Sequence, residues 1–177
     1  WTVTTGDVNS DGKDDMLVGA SGYSGGKGGL AVIISSSLPS TESTLSSAYN
    51  LFPGAQTSDA AGTAVSYISD FGLGTPVIAI GAPGSNSNSG AVYLLDGDEA
   101  TYGGDLDDSM LIINGNSSSY FGRGLTEDID MDGDGISDIF GHYRSSSNNY
   151  YWLLYGDASY SGTISVSDVD AQFSTSG

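Results

Sequence analysis

Short apolar or alternating runs of four to six residues, rich in β-branched side chains, are separated along the whole chain by clusters of Gly, Asn, Ser and Asp. In the first sixty residues these runs are Thr2 to Thr5, Met16 to Ala20, Leu30 to Ser35 and Tyr49 to Phe52. Each predicts a strand of about five residues closed by turns. No window sustains apolar residues at i, i+3, i+4 and i+7 over three turns, so no amphipathic helix is expected. The set of four recurs with a period near 60. The first copy reads TVTTGDVNSDGKDDMLVGAS, GGLAVIIS, LSSAYNLFPG; the second reads GTAVSYISDFGLGTPVIAIGAP, GAVYLLDG, LDDSMLIINGN; the third reads YFGRGLTEDIDMDGDGISDIFGHY, NYYWLLYG, VSDVDAQFSTS. Ala31, Ala91 and Tyr151 align in the third segment, and Ala48, Ser109 and Val169 in the fourth. Sandwiches also have many short strands, but they do not repeat their sequence. Four strands per repeat at this period is the signature of a propeller blade.

The expected fold is therefore all-β, a β-propeller segment of three four-stranded antiparallel blades spanning 1–60, 61–118 and 119–177. Propellers close with about four to eight blades. Further blades, from the same chain or from other copies, are expected to complete the array, because a bare blade face is an exposed apolar patch that drives association.

Charge narrows the possible partners. The 177 residues carry 22 Asp plus Glu against 4 Lys plus Arg, a formal net charge of -18, which excludes a nucleic-acid binder working through a basic face. No apolar run approaches the roughly 20 residues of a membrane span. The absence of Cys excludes a disulfide scaffold and thiol catalysis, and 27 Gly fit a chain of many turns. A chain that opens on Trp1 instead of Met is expected to be a piece of a longer secreted protein. Of the acids only Glu42, Glu99 and Glu127 are Glu. Asp prefers turns and cation loops where Glu prefers helix surfaces, so the placement of Asp must decide between a generic acidic surface and built sites.

Several short signatures together resemble the FG-GAP repeats of the integrin alpha-chain propeller and its bacterial relatives. They are Phe121-Gly122 at the head of copy three, the degenerate Ala61-Gly62 in copy two, Gly81-Ala82-Pro83 in copy two and Gly19-Ala20-Ser21 in copy one. The Asp-rich loop between the first two strands and the segment Gly90 to Leu95 complete the pattern. Copy three departs from it with Gly141-His142-Tyr143 in the expected GAP position. The resemblance covers the whole chain and implies an extracellular or cell-surface adhesion module with metal-bearing loops and six or seven blades in the full protein.

Two of those loops share one frame. Asp7-Val8-Asn9-Ser10-Asp11-Gly12-Lys13-Asp14-Asp15 places oxygen side chains at positions 1, 3, 5 and 9 and Gly at 6; Asp130, Asp132, Asp134 and Asp138 repeat the frame with Gly135 at 6. Alternate positions of a tight loop converge on one point. Ca²⁺ takes six to eight oxygens, and the carbonyl of position 7, Lys13 or Ile136, adds a ligand without requiring a particular side chain. Position 12 is Val18 or Gly141, so neither loop is an EF-hand. The closing ligand is the Asp at position 9, as the resemblance implies. The alternative is a solvated acidic turn, against which stands the repulsion of four carboxylates in nine residues. Two Ca²⁺ ions are expected, and Mg²⁺ is disfavoured by its reluctance to dehydrate. The corresponding stretch of copy two, Ser69 to Pro76, has one carboxylate, Asp70. It is expected to bind no ion and to be held by packing of Phe71 and Leu73.

Little else suggests chemistry. The acidic run from Asp96 to Asp108 is irregular and reads as solvated surface. Asp157-Ala158-Ser159-Tyr160-Ser161 matches the D-x-S-x-S pattern of a metal site but lacks its α/β context, and Asn116-Ser117-Ser118 is a common glycosylation pattern. The single His142 has no Cys or Ser-elbow partner, so no enzyme is expected. Tyr143, Tyr150, Tyr151 and Trp152 are suited either to stacking sugars or to packing between blades. The expected role is recognition of a protein or glycan ligand. The alternatives are a building block of a surface fibre and an accessory domain of a secreted hydrolase.

Overall fold

The computed structural model describes residues 1–38, 50–126 and 128–175. Four antiparallel strands, β1 (Thr2–Gly6), β2 (Asp15–Gly19), β3 (Gly29–Ile33) and β4 (Asn50–Pro53), form the first sheet in sequence order. The second sheet meanders through β5 (Ala64–Ile68), β6 (Val77–Ala82), β7 (Ala91–Asp96) and β8 (Leu111–Asn114). The third contains β9 (Gly124–Leu125), β10 (Ile139–Ser145), β11 (Asn148–Leu154) and β13 (Ala171–Thr175). These elements fall on the runs read from sequence; Ala48 and Tyr49 lie outside the described residues.

The middle sheet departs from the four-stranded expectation. A fifth strand, β12 (Gly162–Ser165), lies parallel to β8, with Ile164 opposite Ile113. An outer strand offers a row of unpaired N–H and C=O groups, and the link from β11 to β13 passes beside that row and pairs with it. The three sheets of four, five and four strands do not close into a ring.

Strand alternation sends successive side chains to opposite faces, and the middle sheet is buried on both. Ile78, Ile80, Tyr93 and Leu95 pack with Leu17, Leu30, Val32 and Phe52 of the first sheet. Val77, Ala79, Val92 and Leu94 pack with Ile139, Trp152 and Leu154 of the third. This is why β6 reads as an unbroken apolar run while β1 alternates.

The repeat signatures sit where neighbouring sheets meet. Ala61 and Phe121, each just before the first strand of its sheet, form parallel bridges to Gly28 and Gly90 of the preceding sheet. The Ala61 amide donates to the Lys27 carbonyl at 3.0 Å, and Phe121 donates to Ser89 at 3.1 Å. The following glycines, Gly62 (φ 79°) and Gly122 (φ 88°), back onto Gly19 and Gly81. A Cβ on either of the latter would run into the carbonyl of Gly62 or Gly122. The first Gly of GAP and the Gly of FG are thus two halves of one close backbone approach.

The register also corrects the alignment of the third copy. Gly19 pairs with Thr2 and Gly81 with Ala64, but Gly124 pairs with His142. The residue in the place of the GAP glycine is therefore His142, not Gly141. Its imidazole lies over Gly124, where a Cβ would meet the ring. The β10–β11 hairpin closes on Ser146 (φ 54°) and Ser147, with Ser145 opposite Asn148. This two-residue turn is shorter than the β2–β3 and β6–β7 loops. Leu30, Val92 and Tyr151 are consequently the true counterparts in the third segment, each pairing with that glycine or His142, in place of Ala31, Ala91 and Tyr151.

Candidate metal centre

The two acidic loops join β1 to β2 and β9 to β10, and a matching set of amide hydrogen bonds aims their side chains inward. Both oxygens of Asp7 are engaged, by the amides of Asp11 (2.9 Å) and Gly12 (2.8 Å). Asp130 accepts from Gly133 (2.7 Å) and Gly135 (3.0 Å). At position 3, Asn9 Oδ1 accepts from the Asp11 amide and Asp132 Oδ1 from the Asp134 amide, both at 3.1 Å. At position 5, Asp11 accepts from Lys13 (3.0 Å) and Asp134 from Ile136 (2.7 Å). Such Asx turns are the local reason that Asp and Asn alternate here.

Position 9 anchors each loop to its sheet. Asp15 and Asp138 are 1% and 2% exposed. Asp15 accepts from Val8 (3.2 Å) and from Ser35 (2.8 Å), just past β3. Asp138 accepts from Met131 (2.6 Å) and from Gly156 (3.0 Å), just past β11. A buried carboxylate with two charge-assisted amide bonds is well held. In the middle sheet Val77 stands in this place, and the equivalent tie is a backbone bond, Gly97 N to Pro76 O at 2.8 Å.

Among the described residues, one group of three carboxylates converges with oxygens within 4.8 Å of one another: Asp130, Asp132 and Asp138. Asp134, placed in the same set by sequence, is outside that group. In the first loop Asp7, Asp11 and Asp15 do not form such a group, and position 3 is the neutral amide of Asn9. The carbonyls of Lys13 and Ile136 accept no hydrogen bond among the described residues. The donor set, all carboxylate, amide and carbonyl oxygen, suits a hard cation such as Ca²⁺ and offers nothing to a soft one.

The middle loop has a different construction. Phe71 is fully buried with its ring 6.2 Å from that of Tyr160, and Leu73 packs against the same layer. Asp70 Oδ1 accepts from Gly72 and Gly74, both at 2.8 Å, so its carboxylate shapes the turn. Elsewhere, Asp96 caps a short helical turn through the Asp98 amide at 2.8 Å, and exposed Asp157 accepts from Ser159 at 2.7 Å. Tyr143 and Trp152 are buried against Phe121, with ring centroids 5.5 and 4.9 Å away. Tyr150 stacks on Tyr143 at 4.9 Å. Tyr151 lies on the other face, beside Phe140 and His142.

This architecture, with glycine-backed seams between antiparallel sheets and acidic loops joining their first two strands, agrees with the comparisons to known sequences. The FG-GAP repeat model matches residues 1–33. Mouse integrin alpha-2 is 34% identical over 82 residues, covering 44% of this chain and 7% of that protein. Bovine phosphatidylinositol-glycan-specific phospholipase D is 32% identical over 152 residues, covering 78% of this chain and 18% of that protein. The chain therefore spans less than a fifth of the length of either relative. It belongs to the FG-GAP, integrin-alpha-like repeat proteins.

Proposed function

We propose that this chain is the calcium-binding part of an extracellular recognition or adhesion module, a run of three propeller blades over 1–60, 61–118 and 119–177 that further blades complete. The observation that carries the metal reading is the convergence of Asp130, Asp132 and Asp138 in a loop whose hydrogen-bond pattern recurs in the first sheet. One Ca²⁺ is held by Asp130, Asp132, Asp134, Asp138 and the Ile136 carbonyl. The other is held by Asp7, Asn9, Asp11, Asp15 and the Lys13 carbonyl. The ions' role is structural: each loop ties two strands to a buried aspartate. The unclosed set of sheets supports further blades, from the same chain or from other copies. So does the third acidic loop, where Met131 stands 57% exposed while Val8 in the first is buried. No helix among the described residues is long and apolar enough to cross a membrane.

A second reading, an accessory domain of a secreted hydrolase, is favoured by the similarity to the phospholipase, which runs through most of this chain. In that reading too, the chain binds and orients, and another domain performs the chemistry.

Calorimetric titration with Ca²⁺ tests the assignment. Two tight ions are expected per chain; Asp11→Ala and Asp132→Ala each remove one, and Asp98→Ala, in the irregular acidic run, removes none. A count near zero, or equal losses for all three variants, refutes it.

A further inference from the structure

At the end of the strands opposite the acidic loops, the seam between the first and second sheets opens into a cavity of about 500 Å³. The β4–β5 link and the β6–β7 loop form its walls. Its floor is polar and buried. Asp59 is 3% exposed; one of its carboxylate oxygens accepts from the Gln56 amide at 2.6 Å, and the other has no partner among the described residues. Tyr93 and Ser85, both 5% exposed, set their hydroxyls 3.5 Å apart and line the same space. Exposed Asn86 and Asn88 supply the rim, and a second carboxylate, exposed Asp107, also lines the cavity.

The rim is built at a cost. Asn86, Ser87 and Asn88 run consecutively through the left-handed region (φ 50°, 58° and 69°). The first sheet follows the same path with Ser24, Gly25 and Gly26 (φ 50°, 73° and 88°). Glycine takes this backbone freely, whereas side chains there are strained. The second sheet keeps its amides where the first dispenses with them.

We propose that this cavity is a binding site for a neutral sugar residue, recognised by Asp59, Tyr93, Ser85 and the amide of Asn88. The inference rests on the recognition reading above and gives it a place and a ligand class. The volume lies within the roughly 300–1,000 Å³ of ligand sites, but the lining is too polar for the apolar ligands that usually fill them. A sugar hydroxyl both donates and accepts. It can donate to the free oxygen of Asp59 while accepting from Tyr93, Ser85 or an Asn amide. An ammonium group only donates; it would pair with Asp59 and with Asp107 on the same lining but would leave the Asn amide unmatched, which makes it the competing probe.

The test is saturation-transfer NMR of the whole chain with glucose, galactose, mannose and N-acetylglucosamine, each at millimolar concentration, and with ethylammonium as the cationic probe. At least one sugar is expected to receive transfer. Tyr93→Phe removes only a hydroxyl, and Asn88→Gly relieves backbone strain, so neither threatens the fold. Each is expected to weaken binding roughly 2- to 10-fold, the loss of one hydrogen bond, with the melting temperature of Asn88→Gly undiminished. No transfer to any sugar, transfer unchanged in both variants, or binding of ethylammonium in place of sugars overturns the proposal. Counting Ca²⁺ in the same samples keeps the two readings apart, because the acidic loops lie at the other end of the sheets. An intact ion count without sugar binding overturns this inference alone.

Discussion

Withdrawal of calcium should lower the melting temperature by an amount that the geometry of the third loop bounds. With carboxylate oxygens of Asp130, Asp132 and Asp138 no more than 4.8 Å apart, each pair repels by about 0.9 kcal/mol at the dielectric of water and about 3.5 kcal/mol at an effective dielectric of 20. Asp130 and Asp132 are exposed, so the lower figure governs, and the three pairs together cost roughly 3 kcal/mol without a cation. That is a sizeable part of the roughly 5–15 kcal/mol by which domains are stable. An ion at a hundredfold excess over Kd adds about 2.7 kcal/mol per loop. At roughly 2–4 °C per kcal/mol for a chain of this size, one loop contributes about 5–10 °C and two loops up to twice that. The assay is circular dichroism melting in millimolar Ca²⁺ against excess EGTA, with NaCl adjusted to equal ionic strength. Added NaCl separates specific binding from screening, since screening acts on every exposed pair among the 22 acids. Superimposable curves would refute the reasoning, as would an upward shift reproduced by NaCl alone.

Four further outcomes follow from packing and burial. Gly81→Ala should destabilise by about 1–3 kcal/mol, because the added methyl meets the Gly122 carbonyl; His142→Ala, on the open face, should stay within about 0.5 kcal/mol, and denaturant midpoints read both. Phe121→Ala empties a site packed by Trp152 and Tyr143 and should cost about 3–5 kcal/mol, measurable by urea unfolding. Burial raises the Asp59 carboxyl above its ordinary 3.8, against the weaker opposing effect of the Gln56 amide. The folded state therefore holds this proton more tightly, and the group's penalty at neutral pH is relieved as pH falls through its folded value. Asp59→Asn should accordingly melt higher than the parent at pH 7, with the difference shrinking towards pH 4; a constant difference across that range would exclude the linkage.

The strands were legible because their signals are local. Period-2 alternation and turn residues placed the ends of β1 to β4 within two residues, and the 60-residue recurrence carried that reading into the other sheets. The acidic loops were legible for the same reason, since an Asx turn joins residues two to five apart. What the pattern missed depended on pairing across distance. Strand β12 owes its existence to the open edge of β8, and nothing in Gly162 to Ser165 names that partner. The shift from Gly141 to His142 is set by a hairpin two residues shorter than its counterparts. Identity of glycines had suggested the wrong alignment, because a glycine at Gly141 is explained by Trp152, whose ring fills the space where a Cβ would stand.

The same distinction separates the two candidate sites. In the loops, adjacent residues of one segment supply every side chain, so a frame of Asp at 1, 3, 5 and 9 can be read from a line of text. The cavity takes Asp59 from one link, Ser85 and Asn88 from a loop farther along the chain, and Tyr93 from a strand. In sequence Asp59 is one acid among 22, and only its burial at the seam sets it apart. At the equivalent position of the third repeat, fully buried Ser119 closes its own hydrogen bond to the Ser89 carbonyl at 2.7 Å. Asp59 closes its own turn by accepting from the Gln56 amide, and its second carboxylate oxygen, without a partner among the described residues, is the group that the proposed sugar would engage.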